Sequence, residues 1–338
     1  MLYSYMNSIG YSNDEINKIK NQYPVNKIRE EILLNYIRNL YTFMINFGYT
    51  NNQIKKIITE RPQVLCLEIN LIDGKIKNLK KIGFSEREVI KLTSDFPTLF
   101  SYGADSILTK INEYIHMGYN KETIIKAIKR YPEILGLSID NIKNKINELI
   151  KLGYSYDDII KMTSKNMAIL NYTINNIKNK LEGLVNLGFS HRDTLYITRL
   201  FPSIFNYAIE YIEEKMLSVE SLGYTKIETI AIFRKNPSLF GERTEKIKEK
   251  KEFYDSIGLA NLLVVDPNQL KQSIELSYAR YVYLNFLGKN LSVEDGSYKE
   301  LFISNKRFES KYKISKEELI NKYNYNTDME DKKSGRVI

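Results

Sequence analysis

The stretch Leu152-Gly153-Tyr154-Ser155-Tyr156-Asp157-Asp158-Ile159-Ile160 reads as the end of one helix and the start of the next. Gly153 suits a left-handed stop, because it lacks the Cβ that makes positive φ costly. Ser155 is a preferred N-cap, and Asp158 stands three residues on, where a capping-box side chain reaches back. Ile159-Ile160 then opens an apolar face at helical spacing. The step recurs. Gly followed by an aromatic stands at Gly10-Tyr11, Gly48-Tyr49, Gly83-Phe84, Gly118-Tyr119, Gly153-Tyr154, Gly188-Phe189 and Gly223-Tyr224, and Gly258-Leu259 closes the series. The intervals are 38 and then 35 six times over. A fixed period of this size is the signature of a repeat architecture.

Each repeat carries the same signals. Two residues after Gly comes a cap: Ser12, Thr50, Ser85, Asn120, Ser155, Ser190 or Thr225. Three further on stand Glu15, Gln53, Glu88, Thr123, Asp158, Asp193 and Glu228, a capping box in four repeats and an Asp version in two. The first helix runs about ten residues, with Ile54, Ile57 and Ile58, or Val89, Ile90 and Leu92, or Ile159, Ile160 and Met162 on one face. Fourteen residues after Gly, Pro24, Pro62, Pro97, Pro132, Pro202 or Pro237 stops it. Repeat five has Met167 there, which predicts a locally altered turn. A second helix leads to the next Gly. Eleven residues before that Gly stand Ile72, Ile107, Ile142, Ile177, Ile212 and Ile247, and four before it Leu79, Tyr114, Leu149, Leu184, Val219 and Tyr254, on one stripe. One such unit cannot bury its own face, so seven stacked units share a continuous core. From Leu259 the register is lost. Pro267 starts another segment, Ser273 to Leu287 reads as a capping helix, and Ser315 with Glu318 caps a short one.

Composition excludes several classes. The 338 residues are 43% hydrophobic and 27% charged, ordinary for a folded chain. No apolar run approaches the roughly 18–20 residues of a membrane helix, and no signal-peptide pattern opens the chain. One cysteine, Cys66, excludes a disulfide framework and a multi-thiolate metal site. The net charge is +9, of which +7 falls in residues 1–258 (37 basic minus 30 acidic) and +2 in the remainder (13 minus 11). That surplus favours an anionic partner.

The unit Leu-Gly-Phe/Tyr-Ser-x-x-Asp/Glu-Ile, then Pro-x-Ile-Leu/Phe, then Ile-x-x-Lys resembles the mitochondrial transcription termination factor (mTERF) repeat. It stands here as Leu152-Gly153-Tyr154-Ser155 with Asp158-Ile159, and as Pro132-Glu133-Ile134-Leu135. The resemblance covers residues 1–258, and the tail with Phe302 and Lys306-Arg307-Phe308 is similar to that family's C-terminal end. It implies an all-α fold, a right-curving helical-repeat solenoid shaped as a half-ring, with about seven 35-residue helix–turn–helix units and a C-terminal cap. The expected organisation is a repeat array over 1–258, a helical capping region over 259–324 and a frayed polar tail over 325–338. The resemblance further implies binding of double-stranded DNA in transcription termination or regulation, or of RNA. The bacterial TAL-type DNA-binding repeat shares Phe-Ser-x-x-Asp-Ile, but its base-reading loop is Gly-rich, where this chain has Ser94-Asp95-Phe96-Pro97 or Lys129-Arg130-Tyr131-Pro132.

Three basic sets could carry binding. Eight residues after Gly stand Lys18, Lys56, Lys91, Lys126 and Lys161, then Tyr196 and Ala231. This position lies opposite the buried Ile pair, so the lysines form an exposed ladder that reads equally as a phosphate track or a solvated face. Eight residues before Gly stand Lys75, Lys110, Lys145, Lys180, Lys215 and Lys250. At an interface edge their stems are expected to cover the neighbouring repeat while the ammonium stays in water. The third set, Arg61, Lys129, Arg130, Lys165, Arg199, Arg234 and Lys235, clusters just before the Pro. Cations there suit the helix C-terminus, but arginine is also what bidentate phosphate or guanine contacts use. The candidate nucleic-acid-binding residues are this third set with Lys56, Lys91, Lys126 and Lys161.

Candidate catalytic residues are few. His116 and His191 occupy different offsets in separate repeats, and the place of Cys66 is Ser101, Gly136, Asn171, Asn206 and Gly241 elsewhere. No phosphate-cradling Gly loop occurs. The expectation is a non-enzymatic protein without cofactor or metal, binding nucleic acid through the concave face. Double-stranded DNA is favoured, RNA is the second choice, and a protein-interaction scaffold is the alternative from another class. A monomer is expected, with no membrane association. Repeat one begins almost at Met1, so the expected place is the cytoplasm or nucleoid of a prokaryote, or an organelle matrix for a processed eukaryotic form.

Overall fold

A computed structural model describes residues 1–103 and 105–325. Apart from Tyr325, the segment expected to fray lies outside the described residues. The chain forms two compact units, residues 1–172 and residues 173 onward. In the first, α1 (Leu2–Ser8), α2 (Asn13–Lys20), α3 (Glu30–Phe47), α4 (Asn51–Glu60), α5 (Ile69–Ile82), α6 (Glu86–Asp95), α7 (Ser106–His116), α8 (Lys121–Arg130), α9 (Ile139–Lys151) and α10 (Tyr156–Lys165) follow one another. In the second come α11 (Ile174–Asn186), α12 (His191–Leu200), α13 (Ile209–Glu220), α14 (Lys226–Lys235), α15 (Thr244–Ser256), α16 (Leu262–Val265), α17 (Ile274–Phe286), α18 (Asn305–Tyr312) and α19 (Lys316–Lys322). The described residues contain no strand, and the fold is all-α helical repeats.

The punctuation works as its chemistry requires. Gly48 and Gly83 sit at φ +107° and +118°. The amides of Tyr49 and Phe84 bond back to Met44 and Leu79, the six-to-one bond of a left-handed helix stop. Reciprocal capping boxes form at Ser12/Glu15, Thr50/Gln53, Ser85/Glu88 and Thr225/Glu228. Ser155 and Ser190 accept from the amides of Asp158 and Asp193, and Asn120 accepts from Glu122. The isoleucines eleven residues before Gly and the apolar residues four before it are all buried. The first-helix face is narrower than expected. Val89, Leu92, Ile159 and Met162 are buried, but Ile90 and Ile160 are only half-covered.

After each first helix the chain enters a 3-10 turn, such as Pro97–Ser101, Pro132–Gly136 or Pro202–Asn206. The altered turn expected at Met167 does not occur. Met167–Asn171 is the same turn, and Asn166 before it has φ −141° and ψ 85°, beside −139° and 68° for Tyr131. The turn is held by apolar burial as well as by proline, since Met167, Ile169 and Leu170 are buried as their counterparts are. The unit also continues past Leu259. The turn Pro267–Lys271 follows α16, and Gly288, φ +72°, stands just beyond the end of α17. Gly258 to Gly288 is 30 residues, and Gly258 to Pro267 is 9 where the other repeats have 14. The shortening falls in the first helix, and α16 is four residues long where α4 and α6 have ten.

The lysines eight residues before Gly are part of this packing, and their ammonium groups do not stay in water. Lys110 donates to the Leu137 carbonyl at 2.6 Å, and Lys215 to the Glu242 carbonyl at 2.6 Å. Lys75 and Lys180 donate likewise to Tyr102 and Tyr207, and Lys250 to Gln272 at 2.7 Å. Each acceptor is the residue that ends the next 3-10 turn. Turn carbonyls that lack intrahelical partners are thereby satisfied by a cation. Lys215 and Lys250 are buried, and burial lowers their pKa values.

Candidate nucleic-acid interface

The ladder eight residues after Gly is exposed, as its place opposite the buried pair requires, but its rungs differ in electrostatic setting. Lys56 lies 4.0 Å from Glu60 and 3.7 Å from Asp95, and Lys91 pairs with the same Asp95. Lys161 pairs with Asp157 at 2.5 Å. Among the described residues neither Lys126 nor Arg130, one turn on, has an ion pair. Both are exposed on α8 and face a groove towards α10, lined also by Thr123, Tyr131, Ser164 and Lys165. Three cations therefore line one surface depression that has no carboxylate in its wall.

The third basic set separates into three successive helix positions with different jobs. Eleven residues after Gly, Lys129 pairs with Glu88 of the preceding repeat at 2.6 Å, and Arg234 approaches Asp193 at 3.9 Å. Glu88 completes the capping box of α6, and Asp193 stands at the matching position of α12. Arg199, at the same position, has its guanidinium 5.3 Å from the Tyr196 ring centroid. Twelve residues after Gly stand Arg130, Lys165 and Lys235. The last donates to the carbonyls of Val264 at 2.7 Å and Val265 at 3.0 Å, at the end of α16. Thirteen after Gly, Arg61 donates through Nε to Ser101 at 2.9 Å, bridging to the next 3-10 turn. The structure thus brings Lys126, Arg130 and Lys165 together. It engages Lys129, Arg234, Lys235 and Arg61 with neighbouring repeats.

A second groove lies between α12 and α14, lined by Ser190, Arg192, Asp193, Tyr196, Arg234 and Lys235. Arg192 escaped the sequence reading. It stands in the first turn of α12, where a cation opposes the helix dipole, and that local conflict was the available signal.

Around these surfaces the chemistry of catalysis is thin. Among the described residues no group of three His, Cys, Asp or Glu side chains could hold a metal ion. His116 and His191 are exposed at the end of α7 and the start of α12. Cys66 is exposed, and partial burial pushes its thiol pKa up, away from the thiolate a nucleophile needs. No helix among the described residues is long and apolar enough to cross a membrane.

No curated protein matches the chain. The mTERF family model matches it twice, over residues 3–115 and 104–219, which together exceed half its length. With its helix, 3-10 turn and helix repeated between left-handed glycines, the chain belongs to the mTERF family of nucleic-acid-binding helical-repeat proteins.

Proposed function

We propose that the chain is a non-enzymatic, monomeric protein that binds double-stranded DNA through its phosphate backbone and acts in transcription regulation or termination. The observation that carries the reading is the convergence of Lys126, Arg130 and Lys165 on one groove without a carboxylate. Like charges brought together on a surface cost the free protein stability and attract a polyanion. A duplex offers about one phosphate charge per 1.7 Å of axis, a regular target for cations set on successive repeats. The aromatics after each glycine, from Tyr11 to Tyr224, are buried and unavailable as stacking platforms, which favours a duplex over a single strand. Its place in the cell follows the nucleic acid, in a nucleoid or an organelle matrix.

A second reading, single-stranded RNA, is favoured by Tyr196, exposed in the α12–α14 groove with Arg199 against its ring. Binding of duplex DNA, single-stranded DNA and RNA across a salt series decides between them. The expected result is tightest binding to the duplex, with log K falling steeply as log salt rises. Preference for RNA would move the role to RNA processing, and no binding to any polymer at low salt would leave a protein scaffold. Transcription in vitro across a bound site, read as shortened transcripts, tests termination.

A further inference from the structure

We infer that Glu60 and Asp95 are built-in counter-ions that switch off the Lys56 and Lys91 rungs, so that backbone contact within residues 1–172 is confined to the groove between α8 and α10. The inference rests on the nucleic-acid reading above and gives that surface a polarity.

The repeat supplies the comparison. Position eight after Gly is lysine in five successive units, Lys18, Lys56, Lys91, Lys126 and Lys161. Position twelve, one helical turn on, reads Gln22 in the first of them and then Glu60, Asp95, Arg130 and Lys165. Its sign reverses midway. In the two acidic units the carboxylates meet the lysines, and Asp95 on α6 reaches both Lys91 on its own helix and Lys56 on α4 at 3.7 Å. In the unit of α8 the same two places are both cationic and have no ion pair among the described residues.

Helix stability does not explain the acids. Glu60 and Asp95 are the last residues of α4 and α6, where the dipole disfavours a negative charge and a cation is the better choice. Arg130, Lys165 and Lys235 make that better choice at the same position. Nor does the ion pair itself repay the cost. With Lys91 and Asp95 side chains about two thirds and nearly half exposed, such a contact contributes little to folding. What the carboxylates change is the field. A charge within 4 Å of two ammonium groups lies well inside the screening length of about 8–10 Å, so a phosphate approaching α4 or α6 meets a locally neutral surface. At α8 it meets Lys126, Arg130 and Lys165 together.

The test is duplex-DNA affinity across a salt series, with the full chain and four variants whose thermal melts are recorded alongside. K126A/R130A should weaken binding at least tenfold and flatten the log–log salt slope by about 2, since each phosphate contact contributes about 0.9. E60Q/D95N should tighten binding and steepen the slope by up to about 2, as Lys56 and Lys91 join the footprint. Adding K56A/K91A to E60Q/D95N should abolish that gain. A remote pair, E113Q/E148Q, measures the general effect of losing two carboxylates. The inference is overturned if E60Q/D95N leaves the slope unchanged, if it does no more than the remote pair, or if its gain survives removal of the lysines. In each of those cases the wild type still binds, and nucleic-acid binding stands. Failure of the wild type to bind any duplex overturns both.

Discussion

Arg280 donates a 2.7 Å hydrogen bond to the carbonyl of Ile303, the residue that ends the 3-10 turn Ser297–Phe302. It stands eight residues before Gly288, as Lys250 stands eight before Gly258. Arg280 is therefore a further rung of the buried cation ladder, with arginine in place of lysine. Its guanidinium also reaches the Leu301 carbonyl at 2.9 Å and Asn305 at 2.9 Å, and it lies 4.4 Å from the Phe308 ring. No carboxylate among the described residues pairs with it, and burial pushes its pKa down to about 10. The ladder works by offering a cation to turn carbonyls, so it needs no counter-ion.

Replacing Arg280 by methionine keeps the apolar stem and strands the half-buried Ile303 carbonyl, while Leu301 still accepts from Gln272 at 3.1 Å. The expected cost is roughly 1–3 kcal/mol, that of one acceptor left unpaired. R280K should recover part of it, because lysine performs the same task at Lys250. Urea denaturation of the full chain measures both, and R280M as stable as wild type would refute the role.

Tyr119 meets Thr163 of the next repeat at 2.7 Å, as Tyr49 meets Thr93 at 2.7 Å. Thr163 spends its only hydroxyl proton on the Ile159 carbonyl at 2.6 Å, so Tyr119 is the donor. Burial pushes the phenol up to about 12, which keeps that proton in place at neutral pH. Where the aromatic is Phe84, the matching residue is Ile128, which needs no partner. Y119F should cost about 1 kcal/mol. Y119F/T163V should cost less than the sum of the two single changes, because it leaves no half of the pair behind. Additive costs in a denaturation cycle would show that the contact contributes nothing.

The period was legible because a positive φ demands glycine and an orphan amide demands a cap, and both demands repeat every 35 residues. Met167 implies an altered turn only if proline is the turn's cause, and burial of Met167, Ile169 and Leu170 suffices to hold it. The shortened unit after Gly258 escaped because a five-residue deletion breaks the interval while keeping the turn and the closing glycine. The basic cluster before each turn looked like one feature. Successive helix positions differ by about 100°, so Lys129 faces Glu88 while Arg130 faces the groove. The pairing of Lys56 with Asp95 crosses between repeats, and no spacing within one helix announces it.

Gly183 on α11 is where α13 comes closest. A Cβ there would stand 2.5 Å from Cδ1 and 2.6 Å from Cγ1 of Ile209. Two effects oppose each other when alanine is introduced. Helix propensity gains about 1 kcal/mol, and overpacking costs about 1–3. Two atoms of a branched side chain are displaced, so the clash should win and G183A should destabilise. In an I209A background the obstacle is gone, and the same G183A change should stabilise by about 1 kcal/mol. Melting of the four proteins tests this reversal of sign, and a stabilising G183A with Ile209 present would disprove the close approach.

Lys129 and the Ser85 amide, in that order, hold the Glu88 carboxyl below its usual range. A carboxyl depressed in the folded state adds stability above its unfolded pKa, near 4.3 for a typical glutamate at about that value, and loses it as pH falls through the lower folded one. Wild-type melting temperature should therefore drop between about pH 5 and pH 3. E88Q should start lower at neutral pH and lose less over that interval, because its share is already absent. Salt separates the two causes. Screening at high ionic strength weakens the exposed Lys129 contact but leaves the short-range bond from Ser85, so the difference between wild type and E88Q should shrink in about 1 M salt without vanishing. A difference that disappears altogether would make the ion pair the whole effect, and one unmoved by salt would make it the cap alone.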